Sequence, residues 1–356
     1  METSTTERNA WPHRLAAMLV CVVFPLIWVG GLVTTYDAGM AVPDWPTTYG
    51  YNLFLYPWQT WLSGPWDLFI EHGHRLLGSL AGVLTIVLVV TLWKYDHRRW
   101  VCWLGLAALG LVVLQGVLGG MRVLFDETRL AMVHGCVGPL FFALCIGLVA
   151  VTSRWWHQGS VQEMRRMKCD DPAHDAFSVC WSAGMLSLLA LLQIILGAQL
   201  RHLPVDAAAG SFRMVVMAHL VLAVILAIHG LYLAGKILLS RRTSFRNPAL
   251  AICFLIGLQW CLGAGTWVVK YSWPTWIAET NWTASFTIRA EGLLQALTIT
   301  AHVANGSLIL ATSVWLTLRA LCFSSWRQWQ EPKPIHGLQE TGFQVASRGV
   351  SSEVLV

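Results

Sequence analysis

At 356 residues, 56% hydrophobic and only 12% charged, the chain departs far from a soluble globular protein, in which about one residue in four is charged. That balance excludes an ordinary soluble two-domain protein and points to an integral membrane protein. The net charge of +5 does not imply a nucleic-acid partner, because in a membrane protein the distribution of positive charge carries more information than its sum.

Apolar runs separated by polar breaks predict eight helices, at about 14–35, 72–93, 101–121, 130–152, 177–200, 213–239, 248–270 and 291–320. Each reaches or approaches the ~20 residues that cross a ~30 Å hydrocarbon layer. The first run follows Arg8 and Arg14 but continues to Val33 without a small-residue cleavage site, so it reads as a span rather than a signal peptide. An even number of spans puts both termini on one side. That side carries most of the 24 Lys and Arg, and the opposite side keeps only Arg75, Arg122, Arg129, Arg201, Arg213, Lys270 and Arg289. The positive-inside rule then puts both termini in the cytoplasm and makes this an all-α multi-pass protein of the plasma membrane, in contact with membrane lipids.

The expected organisation is a cytoplasmic tail (1–13), an N-terminal four-helix half (14–154), a polar cytoplasmic linker (155–176), a C-terminal four-helix half (177–320) and a cytoplasmic tail (321–356). Two outer segments, 36–70 and 271–290, are rich in Trp and Pro, and interfacial Trp45, Trp58, Trp61, Trp66, Trp273, Trp276 and Trp282 suit a roof over the outer helix ends. Nine cysteines form no Cys-x-x-Cys. Cys21, Cys145, Cys253 and Cys261 lie in apolar runs, where free Cys packs as a small hydrophobe.

The two halves resemble each other. Gln115-Gly-Val-Leu-Gly119, Gln193-Ile-Ile-Leu-Gly197 and Gln259-Trp-Cys-Leu-Gly263 repeat one pattern near the outer ends of the third, fifth and seventh spans, and Trp28-Val-Gly-Gly31 is a weaker echo in the first. Each outward span is followed by an inward span with a histidine near its start: His74, His134, His219 and His302. Eight helices therefore read as two pseudosymmetric four-helix bundles.

Ionisable side chains inside a span are costly and usually functional. Any one of these histidines alone reads as a helix-packing residue, but four at equivalent depths form a pattern. Imidazoles on facing helices hold a haem iron between them, and Gly78, Gly82, Gly135, Gly138 and Gly306 leave room for a flat macrocycle, so two haem sites are expected. Zinc or copper fits less well, since only Glu71 and Cys136 are near. His229 lies ~15 Å deeper than His219 on another helix face and reads as packing. His13, His97, His157, His174 and His336 fall in cytoplasmic segments, and His72 and His202 at outer edges, with solvated roles expected.

Glu71 stands three residues before His74 and four before Arg75. That spacing allows two roles: a carboxylate on the histidine's face that handles a proton or charge, or a first-turn residue favoured by the helix dipole and paired with Arg75. Arg75, Arg122, Arg201 and Arg213 are candidates for haem propionates through bidentate geometry, or for pairing with Asp126, Glu127, Asp206 or lipid headgroups.

The ordered set of Glu71-x-x-His74-Arg75, His134, His219, His302, the repeated Gln-x-x-Leu-Gly ends and the loop Asp37-Ala-Gly-Met-Ala-Val-Pro-Asp-Trp-Pro46 resembles the haem A synthase family over roughly residues 14–320. The resemblance implies haem B as cofactor on His219 and His302 in the C-terminal half. It implies haem O as substrate at His74 and His134 in the N-terminal half, with Glu71 beside the reacting ring. The implied reaction hydroxylates one methyl of haem O in succession and loses water to leave the formyl of haem A, for terminal oxidase biogenesis. Implied partners are haem O synthase, cytochrome oxidase assembly factors and an electron-transfer partner of unspecified identity. Some members carry cysteine pairs in the outer loops, whereas 36–70 and 201–213 here contain none. Two other classes remain open: a dihaem electron-transfer protein of the cytochrome b kind, which needs histidines at two depths, and a non-enzymatic haem chaperone for oxidase assembly.

Overall fold

A computed structural model describes residues 9–156, 172–204, 206–240, 245–278 and 292–330, with the side chains of 172–175, 276 and 323–330 excepted. Eight helices in this set are long and apolar enough to cross a membrane. They are α1 (Trp11–Thr35), α2 (Trp66–Tyr95), α3 (Arg99–Phe125), α4 (Thr128–Thr152), α5 (Pro172–Arg201), α6 (Ala209–Leu239), α7 (Arg246–Tyr271) and α8 (Leu293–Gln330). The protein is a multi-pass membrane protein. The linker 157–171, the outer segment 279–291 with Trp282 and Arg289, and the tails 1–8 and 331–356 lie outside the described residues.

Most helices outrun their apolar cores, because helix ends follow stop signals rather than hydropathy. Pro12 and Pro172 stand in the opening turns of α1 and α5, where a missing N–H costs nothing. Helix α2 starts at Trp66, directly after the extended Pro65, so the outer loop is 36–65 rather than 36–70. Helix α8 continues past the expected end at 320, to Gln330. Asp126, in the left-handed conformation, makes the tight turn from α3 to α4, and Glu127 caps α4 by accepting from the Arg129 N–H.

Each half closes into a ring of four: α1 packs on α2, α2 on α3, α3 on α4 and α4 back on α1, while α5 to α8 repeat the same order. The halves meet where α8 lies against α1 and α4, and where α4 meets α5. Each ring has its own core. Leu19, Leu88, Leu92, Phe142 and Leu148 fill the first, and Leu186, Leu233, Ile237, Ile252 and Leu316 the second. These residues cluster toward the ends of the helices that carry the termini. At the opposite end, a Cβ added to Gly78, Gly82 or Gly135 would meet nothing within 4 Å. The bundles are thus packed at one end and open at the other, and the four histidines lie at the open end. The outer surface exposes Val83, Ile86, Val90, Val113, Val221 and Ile228, an apolar belt suited to lipid. Cys21 and Cys261 also face outward, so they are not core residues as expected; Cys102, Cys145 and Cys322 are buried.

Candidate functional site: two pairs of intramembrane histidines

Closing each ring brings the histidines of alternate helices together. His74 on α2 faces His134 on α4 with ring centroids 6.2 Å apart, and His219 on α6 faces His302 on α8 at 6.4 Å. A ring nitrogen lies roughly 1.1 Å from its centroid and a metal–imidazole bond is about 2 Å, so two imidazoles sharing one metal have centroids roughly 6.3 Å apart. Both pairs have that spacing. Nδ1 of His134 lies 3.1 Å from the carbonyl oxygen of Gln115, which only accepts, so Nδ1 carries the proton and Nε2 keeps its lone pair for a metal. Nε2 of His302 lies 3.4 Å from the Gln259 side-chain nitrogen, a donor, so here its lone pair accepts from the Gln259 amide, which a metal ligated at Nε2 would have to displace. Among the described residues no group of three or more His, Cys, Asp or Glu gathers as a zinc-type site would require.

The repeated motif on the outward helices supplies the seats. A Cβ at Gly30, Gly119, Gly197 or Gly263 would come within 2.8, 3.3, 3.3 and 3.2 Å of Cε1 of His74, His134, His219 and His302 respectively. The Gln115 and Gln193 amides donate to the backbone oxygens of His134 and His219 at 3.1 and 3.0 Å. In the last unit Gln259 instead accepts from Asn305 at 2.7 Å, and Asn305 also donates to the Leu255 oxygen. Sequence reading passed over Asn305, although an Asn three residues after His302 inside a span was a usable signal.

Above the N-terminal pair, the loop 36–65 is tied to α2. The Arg75 guanidinium donates to the backbone oxygens of Val42, Asp44 and Thr47 at 2.7, 2.7 and 2.9 Å and to Oε1 of Glu71 at 2.8 Å. Oε2 of Glu71 accepts from the Val42 N–H at 2.8 Å, and Glu71 is only 3% exposed. The loop folds on itself through Asp44, which accepts from the Thr47 hydroxyl and from the N–H groups of Tyr49 and Gly50. Burial pushes the Asp44 carboxyl up, but these hydrogen bonds prevail and hold it below its usual range. The loop also reaches α3, with Trp45 against Gly120 and Arg122 against Gly39.

This geometry revises two expectations. Glu71 is not a first-turn residue: α2 begins five residues earlier, the first turn holds Asp67, and the dipole effect fades within one turn. His72 is not solvated. It is buried, bonded to the Thr48 hydroxyl at 3.1 Å and packed against the rings of Tyr56 and Trp61. His202 is likewise partly buried. His229 is a packing residue, with Nε2 2.9 Å from the Ser182 oxygen. The remaining arginines differ in their engagement. Arg201 donates to the Gly31 oxygen and the Thr35 hydroxyl, bracing the end of α5 against α1, and Arg213 is exposed.

With this geometry in place, comparison with known proteins shows what the chain is similar to. The family described as Cytochrome oxidase assembly protein (COX15-CtaA) matches residues 65–209, the stretch holding Glu71, His74, His134 and two copies of the repeat. Proteins named Heme A synthase are also similar. That of Halalkalibacterium halodurans is 31% identical over 39% of this chain and 44% of its own. That of Shouchella clausii is 23% identical over 56% and 62%, and that of an Exiguobacterium species 24% identical over 74% and 83%. Over these stretches the chain is similar to haem A synthases. It spans less than two thirds of the length of the first relatives it matches, the first two at 44% and 62%.

Proposed function

We propose that this protein is a haem A synthase that oxidises a methyl group of haem O to the formyl of haem A for terminal oxidase biogenesis. The observation that carries the reading is the presence, in a chain similar to haem A synthases, of two histidine pairs at the spacing of two imidazoles around one metal. In this reading His74 and His134 bind the iron of the substrate haem O, and His219 and His302 hold a resident haem B. That haem, when bound, supplies one-electron redox chemistry beside the substrate site. The four imidazoles would hold the two haems, and Gly78, Gly82 and Gly135 leave space free of side chains on the helices that carry His74 and His134.

The docked loop 36–65 then covers the substrate pair and keeps water from it. Glu71 holds a carboxylate on the same helix as His74, where a proton or a developing charge is handled, while Arg75 keeps that carboxylate oriented. Arg122, whose guanidinium makes no hydrogen bond among the described residues, is the arginine best suited to a substrate propionate; Arg75 and Arg201 spend their donors on the protein, and Arg213 lies at the surface. Both termini face the cytoplasm and the histidine pairs lie toward the outer face, as the Lys and Arg distribution supports. Haem O synthase, oxidase assembly factors and an electron-transfer protein are the partners this role requires.

The test is extraction of haems from cells with and without the protein, separated by chromatography. The expected result is haem A only when the protein is present, with haem O accumulating in its absence. An unchanged haem O to haem A ratio overturns the proposal and leaves a haem carrier.

A further inference from the structure

We propose that the repeated Gln-x-x-Leu-Gly segments are cradles for the axial imidazoles, so that Gly30, Gly119, Gly197, Gly263, Gln115 and Gln193 are positioning residues for the haem ligands. The inference rests on the reading of the four histidines as haem ligands and gives the internal repeat a chemical task.

Glycines in membrane helices usually let neighbouring helices approach, and a Cβ there would meet an aliphatic side chain or backbone. Gly105 and Gly230 fit that pattern, since added methyls would strike Leu92 and Ile256. The four repeat glycines behave differently. In every one the first atom met is Cε1 of the histidine on the next helix, and the second is its Nδ1. The Cε1–Nδ1 edge of each ring therefore rests on the glycine, which turns the opposite edge and Nε2 toward the bundle interior.

The other motif residue acts on the backbone. The Gln115 and Gln193 amides grip the carbonyls of His134 and His219, and the Gln115 carbonyl receives the Nδ1 proton of His134. For His134, backbone height, ring direction and tautomer are thus set from one outward helix, by residues four apart, which is one turn; for His219 the same helix pair sets backbone height and ring direction. Partners of this kind orient a metal ligand and raise its basicity. The first unit has Leu26 in place of the glutamine, and there the approach of glycine to imidazole is the closest of the four, at 2.8 Å.

The experiment uses the purified full-length protein and reads haem retained per chain and the electron paramagnetic resonance spectrum of the ferric protein. Gly263→Ala brings a methyl against His302, whereas Gly257→Ala, on the same helix, points into open space. Gly263→Ala should weaken retention about 10- to 100-fold and shift the low-spin signal. Gly257→Ala should match wild type. Gln193→Leu, which removes the grip on His219 without adding bulk near the ring, should move the same signal if Gly263→Ala fails to accumulate. Wild-type retention and spectra in both Gly263→Ala and Gln193→Leu overturn the cradle. Wild-type protein purified without any haem overturns the reading of the histidines themselves, and the cradle with it.

Discussion

In the N-terminal half the histidine pair lies under a loop held by Arg75, Glu71 and Asp44, with Trp45 and Arg122 pinning its far side to α3. The C-terminal pair has Gln193, Gln259 and Asn305 as polar neighbours among the described residues, all within the spans. Spacing and seats are alike, so among the described residues the halves differ in the loop that hydrogen bonds tie to α2. In the reading proposed above, a cover of that kind suits an exchanging substrate on the first pair.

The largest effect should come from the ligands. His219→Ala or His302→Ala should abolish retention of the resident haem, because bis-histidine ligation needs both axial groups. His74→Ala or His134→Ala should leave that haem in place and stop haem A formation. Haem content and reduced-state spectra of the four purified variants check this, and loss of resident haem from the first pair instead would reverse the assignment of the halves.

Next comes the cover. Arg75→Met removes four hydrogen bonds and strands the buried Glu71 carboxylate, a change that typically costs about 3–5 kcal/mol. Protease cleavage within residues 41–50 should rise while the C-terminal haem stays bound. Glu71→Gln is milder, since an amide oxygen still accepts from Val42. If the carboxylate serves the chemistry, haem O or a singly hydroxylated intermediate accumulates with the loop still docked. Wild-type haem A yield would leave Glu71 only its clamping role. In the second half Asn305→Leu loses two hydrogen bonds, each worth about 0.5–1.5 kcal/mol, and should lower thermal stability and haem retention without touching haem O binding.

The spans, the four histidines and the repeat were legible in the sequence because hydropathy, an ionisable group in an apolar run and identical spacing are all local signals. What the repeat does was not legible, since a glycine against an imidazole on the next helix is a tertiary contact. The same holds for Arg75: its i, i+4 pairing with Glu71 could be read, but not the three loop carbonyls some thirty positions earlier that fill its remaining donors. His72 was misread for a related reason. An outer-edge position implies solvent only until a loop with Thr48, Tyr56 and Trp61 folds over it. The start of α2 was misjudged because Pro65, rather than apolar length, sets the boundary.

The smallest expected effect concerns the outer end of α5, next to the junction of the halves. His202 is pushed down to about 4 by burial and by the positive charges of Arg201, Arg122 and Lys270. An unfolded chain takes up a proton on this imidazole near the ordinary histidine value of about 6.5, whereas the folded protein resists until about 4. Between those values the unfolded state binds more protons, so stability must fall as pH drops from about 6.5 toward 4. His202→Gln cannot take up that proton and should flatten this part of the curve while leaving stability near pH 7.5 almost unchanged. Thermal unfolding of the detergent-solubilised protein across this range provides the measurement. High salt should weaken the wild-type slope only in part, since screening acts on the charge repulsion and not on the burial. An identical pH slope in wild type and His202→Gln would remove His202 as its source and point to other titrating groups.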